Sequence, residues 1–409
     1  MKLIEELARK QLCYQCGTCE TACKVGCIEM TRNEGKGLIL PKIKNKDKCT
    51  KCGLCEKACP FLALELPKEQ LECKAFGIYK SSDKKIYENS SSGGAVGSIL
   101  KYLLDKKIID RALVTGINGI YAEPIWVYES SEISNIQGSK YQPIALNRAL
   151  SEVKNEEKIA IVGLPCHISG VERLMQQSLK LRNNIILKIG IFCTIGRGMN
   201  ATKAVICNKD YYTDEKLCYR DEDHPGNMVF QSKNEKRVLM PHVDFLDKTD
   251  YLFYPRGCYY CNDLFNINAD ISVGDAWGLN YGKAALVLTR TEKGESFLND
   301  MLESNYINKL GDVSQNEALK TQEHAYNFKI KNYKIRYKLG INIVKGLPIS
   351  INNKNINSDC ENIKYKIAIR LLNMNSKVFN SKIGLITVKN RYLSKLSKKY
   401  RNFILRNGV

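Results

Sequence analysis

Two nearly identical cysteine runs confine this chain more tightly than anything else in it. Residues 13–23 read CYQCGTCETAC and residues 49–59 read CTKCGLCEKAC, an internal repeat. Each run is C-x2-C-x2-C-x3-C, in which three closely spaced thiolates wrap one 4Fe-4S cube and the fourth reaches across to a second. The pattern assigns Cys13, Cys16, Cys19 and Cys59 to one cluster and Cys49, Cys52, Cys55 and Cys23 to the other. Gly17 and Gly53 are expected where the backbone passes close to the sulfides. Extending the repeat places Cys27 opposite Ala63, so Cys27 reads as a small core residue. Zinc ribbons space their cysteine pairs farther apart. Lys24 stands where the second repeat has Pro60, a change that adjusts local backbone rather than ligation.

A disulfide framework is the competing account of clustered cysteines, and it needs an oxidising compartment. Nine of the 17 cysteines lie between Cys13 and Cys59. The opening MKLIEELARKQL alternates charged and apolar residues, unlike a secretory signal, and no stretch approaches the roughly 18 apolar residues of a membrane span. We therefore expect reduced thiols in a cytoplasmic protein.

The formal net charge is +20, and residues 363–409 hold 12 Lys or Arg with no Asp or Glu. Charge confined to one tail argues against nucleic acid as a partner. The tail interleaves its cations with Ile367, Leu371, Leu372, Ile386, Leu393, Leu396, Phe403 and Ile404. Besides a plain solvated end, this pattern suits peripheral attachment to the anionic inner membrane surface or to an acidic partner subunit.

Residues 1–66 thus form a bacterial-ferredoxin-like domain, with a hairpin expected around 33–37, and 67–74 connect it onward. From about Ala75 short apolar strands alternate with helical patterns: ALVTGI, IWVYES, KIAIVGL running into ISGVERLMQQ, and IILKIGIFC. The class is α/β (α+β overall), with ligands expected at the carboxyl ends of the strands. A mixed α/β domain is expected over 75–335 and a basic extension over 336–409. Four cysteines fall at these strand ends or in a pair: Cys166 in GLPCHISG, Cys193 after IGIF, and Cys258 with Cys261 in RGCYYCND. Cys166 beside His167 reads as a nucleophile, Cys193 as core, or all four as a further cluster; spacing alone does not choose.

SSGGAVGSILKYLLDKKIID, GSKYQP, GLPCHI, GIFCTIG, RGCYYCND and NADISVGDAWG, in this order, resemble the family of coenzyme F420 hydrogenase/dehydrogenase beta subunits over about residues 75–290. The ferredoxin-fused arrangement resembles the electron-input subunit of F420H2 dehydrogenases. The resemblance implies FAD in the α/β domain, one further 4Fe-4S cluster on Cys166, Cys193, Cys258 and Cys261, and hydride exchange with coenzyme F420 or a similar carrier. Read from the residues, Ser92, Gly93 and Gly94 before a helix offer free N–H groups to a flavin pyrophosphate or form an N-cap with a flexible loop; Lys140, with Ser139 and Tyr141 in GSKYQP, gives a cation to a flavin phosphate or ring or is a surface lysine; and Asp275 bonds flavin or cluster surroundings or is a turn aspartate. Where the family reads Tyr-Arg-Gly-x-Gly-Trp-Pro-Gly, this chain has Tyr219 and Arg220, then Asp221, Glu222, Asp223 and His224, then Pro225 and Gly226.

Elementary redox accounting agrees: a hydride carries two electrons and a cluster accepts one, so a flavin belongs between them. The expected function is an iron–sulfur flavoprotein oxidoreductase passing electrons onward to a redox partner protein. Two alternatives are a reductase acting on another metabolite, such as a glycan-pathway substrate, and a non-catalytic electron-transfer adapter. Trp126, Trp277, His242 and His324 read as packing or surface residues.

Overall fold

Hairpin geometry organises the first sixty residues. β1 (Ile28–Asn33) and β2 (Leu38–Ile43) pair antiparallel. The turn between them closes through Gly37 N–H to Asn33 C=O at 2.8 Å, with the Asn33 side chain accepting Lys36 N–H, at the place the sequence predicts. The helix Lys2–Lys10 lays Ile4 and Leu7 into the core that Ile28, Met30 and Ile39 share. The computed structural model describes residues 1–206, 212, 214–221, 224–348, 363–381, 399–400 and 402–404.

The remaining strands are β3 (Ala75–Ser81), β4 (Arg111–Asn118), β5 (Tyr121–Val127), β6 (Ile159–Gly163), β7 (Ile185–Ile191), β8 (Lys216–Asp221), β9 (Asn227–Gln231), β10 (Lys236–Pro241), β11 (Ile271–Asp275), β12 (Ala285–Thr289) and β13 (Ile307–Asp312). Eight form one mixed sheet in the order β13-β3-β12-β11-β7-β6-β4-β5, and β10-β9-β8 form a separate antiparallel sheet. β4, β6, β7 and β11 run parallel to one another. Buried on both faces, β6 (IAIVG) and β12 (ALVLT) are apolar along nearly their whole length, as central strands of a covered sheet must be. β7 stops at Ile191, so Cys193 lies just past the strand rather than ending it.

Asn147 joins the ferredoxin-like module to the large sheet. Its N–H donates to Cys16 C=O at 2.9 Å, and its side-chain amide donates to Thr18 Oγ1 and to His167 C=O. Gly17 has φ +86°, and a Cβ there would stand 2.8 Å from Arg148 N and 2.9 Å from Ala145 O. The same glycine of the repeat, Gly53, has positive φ but open space around it. Turn conformation therefore explains both, and close docking of the module explains Gly17 in addition.

The basic tail is less free than its composition suggests. In the helix Ile363–Phe379, Ala368, Ile369 and Leu372 are buried, and with Ile404 they complete the core that holds Ile4 and Leu7. Leu372 and Ile404 are therefore unavailable to a membrane, while Ile386, Leu393 and Leu396 lie outside the described residues. Ile363, Ile367, Met374 and Val378 of that helix are exposed. No described helix is long and apolar enough to cross a membrane.

Candidate functional site

The carboxyl ends of the parallel strands face the ferredoxin-like module, and the chemistry gathers there. Cys166 sits in the first turn of the helix Pro165–Gln177, directly after β6. Cys193 follows β7, and the 3-10 turn Arg256–Tyr260 carries Cys258, with Cys261 just beyond. All four, with Tyr14, Gln142, Arg197 and Lys329, line one hollow with about 540 Å3 of empty space, part of it open to solvent. Burial pushes the Cys166 and Cys193 thiols up and the Cys258 thiol up to about 12. Thiols in so dry a place ionise only when a positive centre binds them.

His167 is buried and is no base for Cys166. Its Nε2–H donates to Ile144 C=O at 3.1 Å, and Nδ1 accepts Leu164 N–H at 3.2 Å; these partners fix the neutral tautomer. Burial holds its pKa down at about 4. Without a base the nucleophile reading of Cys166 loses its activating partner.

The N-terminal thiols lie near one another, and the contacts among them cross the two expected sets. Cys13 lies near Cys16, Cys59 and Cys258, and Cys19 lies near Cys13, Cys16, Cys59 and Cys55. Cys55 faces Cys23, and Cys27 lies beside Cys23 and Cys49. Backbone N–H groups already point at sulfur: Gln15 to Cys13 and Cys27 to Cys23, both at 3.2 Å. Cys27 itself is 0 % exposed within the core. Cys52 alone among the described cysteines is exposed. The two regions meet, because Tyr14 and Gln15 line the same hollow as Cys166, Cys193, Cys258 and Cys261.

The residues expected to contact FAD converge only in part. Ser92 Oγ donates to Asp275 at the end of β11, and Ser139 N–H donates to Ser91 Oγ at 3.0 Å. Arg220, which the sequence does not single out, ties these together. It reaches Asp275 at 3.3 and 3.4 Å, Ser91 C=O at 2.9 Å, Pro225 C=O at 3.1 Å and His224 Nδ1 at 2.9 Å. His224 lies against Trp277 with ring centroids 4.5 Å apart, and the Arg220 guanidinium stands 5.4 Å from the Trp277 ring. Trp277 is 40 % exposed, so part of its aromatic surface remains open to a planar ring. The only sequence signal for this group is the altered stretch after Tyr219, where His224 replaces a tryptophan of the family pattern.

Tyr141 stacks on His242 at 5.1 Å, and Arg197 stands 5.2 Å from its ring. Burial, with Arg220 and Arg197 nearby, holds His242 neutral with a pKa of about 3. Lys140 turns elsewhere: its ammonium caps the carbonyls of Ile136 and Gln137, and burial lowers its pKa to about 8. Gly93 and Gly94 precede the helix Ala95–Asp105 with φ +75° and +83°. A Cβ at Gly93 would stand 2.8 Å from Ala284 Cα and 3.0 Å from Lys283 O. Close packing against Ala284 and Lys283 thus gives Gly93 a structural reason of its own beside the pyrophosphate reading. Gly93→Val is accordingly expected to cost about 2–5 kcal/mol, from left-handed strain and overpacking together, seen as a lowered Tm. An unchanged Tm with loss of flavin would favour the phosphate role.

Three regions match known family models. Residues 12–63 match the 4Fe-4S dicluster domain. Residues 79–151 match the N-terminal region, and 156–315 the C-terminal region, of the coenzyme F420 hydrogenase/dehydrogenase beta subunit. The beta subunit of the coenzyme F420 hydrogenase of Methanococcus voltae is 26% identical over 253 residues, 57% of this chain and 84% of that one. One of the subunits of the F(420)H(2) dehydrogenase of Methanosarcina mazei is 26% identical over 306 residues, 72% of this chain and 83% of its own length. A chain of the F420-reducing [NiFe] hydrogenase complex from Methanosarcina barkeri has the same fold, with TM-score 0.53 and 16% identity, covering 68% of this chain and 97% of that one.

Proposed function

Because this chain belongs to the family of coenzyme F420 hydrogenase/dehydrogenase beta subunits and carries a 4Fe-4S dicluster domain, we propose that it moves electrons between a hydride carrier such as coenzyme F420 and 4Fe-4S clusters, with a flavin between them. One observation carries the reading. The hollow of Cys166, Cys193, Cys258 and Cys261 is lined also by Tyr14 and Gln15 of the ferredoxin-like module and by Arg197, which stands 5.2 Å from the Tyr141 ring.

A flavin supplies the conversion from one two-electron transfer to two single-electron transfers. The chain's own residues do the rest. Trp277 and His224 offer a stacking surface, Arg220 and Asp275 fix it, and Tyr141 with Arg197 continues toward the hollow. Cys166, Cys193, Cys258 and Cys261 would hold the third cluster, and exposed Cys52 brings the last thiol set to the surface, where a redox partner protein would dock.

Anaerobic purification with iron, sulfide and flavin assays tests the reading, followed by spectral titration with reduced deazaflavin. Bound flavin bleached by the reduced carrier supports it. Iron without flavin favours the electron-transfer adapter, and flavin reduced only by other metabolites favours the glycan-type reductase.

The membrane reading of the tail now rests on exposed Ile363, Ile367, Met374 and Val378 beside Lys364 and Arg370. Deleting 363–409 would remove core residues, so point changes are the cleaner probe. Ile367→Ser with Met374→Ser is expected to abolish low-salt sedimentation with anionic vesicles while shifting stability by about 0.5 kcal/mol or less. Full-length protein that never sediments ends the membrane version.

A further inference from the structure

Among the described residues Lys329 is the one fully buried lysine, 1 % exposed. It sits in the π-helical turn Asn327–Lys331, a wide turn that appears often where a side chain must be re-aimed at a functional site. Its Nζ donates to Cys261 Sγ at 3.3 Å and to Asp263 C=O at 2.5 Å. The ammonium also faces Cys193 and Cys258. Asp263 is the nearby carboxylate, and its oxygens accept the N–H groups of Asn266 and Ile267. Arg336, 0 % exposed, braces the arrangement by donating to Cys261 C=O at 2.8 Å and to the carbonyls of Phe328 and Lys329.

A buried ammonium is costly unless an anion faces it. Asp263 meets part of that need; neutral thiols add nothing to it, whereas a cluster held by four thiolates does. We propose that Lys329 is a positioning residue that raises the reduction potential of the cluster held by Cys166, Cys193, Cys258 and Cys261, by fixing one positive charge and one N–H···S bond against Cys261. The proposal rests on that four-cysteine ligand set. Reduction adds one electron, and thus one negative charge, to the thiolate-bound group. A cation at contact distance in a dry site stabilises the reduced form more than the oxidised one. The eight N-terminal thiols face no buried lysine among the described residues, so this cluster becomes the place where electrons arriving from the flavin side collect before moving on.

The test is a redox titration of the anaerobically purified full-length protein, followed by electron paramagnetic resonance, with iron counted in every sample. Lys329→Met is expected to cut the reduced-to-oxidised ratio of this cluster at a fixed potential by about tenfold, a fall of about 59 mV for a one-electron couple. The other two clusters should stay within a fraction of that shift. Lys329→Gln keeps a donor but no charge and should reproduce most of the fall, while Lys329→Arg should restore the wild-type potential. A wild type holding only about eight irons removes the ligand set itself. A wild type with about twelve irons whose Met and Gln variants load fully at unshifted potential overturns the role of Lys329 alone. So does a Met variant that loses four irons while the Gln variant keeps them unshifted, since that pattern is packing.

Discussion

A Cys258→Ser/Cys261→Ser protein is expected to bind about eight irons per chain where the wild type binds about twelve, with sulfide falling in parallel. The two cysteines come from one 3-10 turn and its end, so removing both deletes half of the proposed ligand set without touching the repeat that defines the N-terminal clusters. Stability should fall as well. Lys329 and Arg336 are buried directly behind Cys261. Taking away the thiolate leaves Lys329 with Asp263 as its remaining anion, a loss of about 1–3 kcal/mol. Cys27→Ala is the control, because Cys27 is completely buried yet lies outside every proposed ligand set; it should keep about twelve irons. Twelve irons in the double serine variant would return all four downstream cysteines to structural roles.

How much of the fold and site is legible in the sequence follows from the range of the interactions involved. Cluster ligation by the repeat is local, since three thiolates within seven residues already dictate the wrap, and the hairpin and the β6-to-helix turn carry local signals of the same kind. Cys166, Cys193, Cys258 and Cys261 are visible as residues but not as a group, because their meeting depends on β6 and β7 lying side by side in the sheet. Lys329 and Arg336 are invisible. They fall in a lysine- and asparagine-rich region without clear periodicity, and only the long-range approach of residue 329 to residue 261 gives them a role. The glycines before Ala95 suggest a ligand, and the closeness of Ala284 and Lys283 adds a packing reason for Gly93 that only the fold reveals. Tail residues Leu372 and Ile404 read as part of a solvated end or of a surface for a membrane or an acidic partner, yet they pack inside, because cations on one side of a helix reveal nothing about what covers the other.

The largest expected effect on flavin belongs to Arg220. Its side chain is 2 % exposed and that of Asp275 is 21 % exposed, so the pair is held in a setting where charge attraction is only weakly screened. Four further acceptors or faces converge on the guanidinium: Ser91 C=O, Pro225 C=O, His224 Nδ1 and the Trp277 ring. Arg220→Met keeps the length and removes the charge and every donor. The carboxylate of Asp275 is then left with the Ser92 hydroxyl, and the Ser91 and His224 segments lose their common anchor. A cost of about 3–5 kcal/mol follows from breaking such a pair. Flavin content should drop below about a tenth of wild type, since 1.4 kcal/mol of lost binding already accounts for one factor of ten. Iron should remain near twelve because none of the proposed ligands touches Arg220. Trp277→Ala separates binding surface from scaffold. Trp277 is 40 % exposed, so its removal should change stability by about 1 kcal/mol or less, while KM for the reduced carrier rises about tenfold through the lost stacking. An Arg220→Met protein that is less stable yet keeps its full flavin would show that this buried pair only braces the turn after β8, and would move the flavin to the other side of Tyr141.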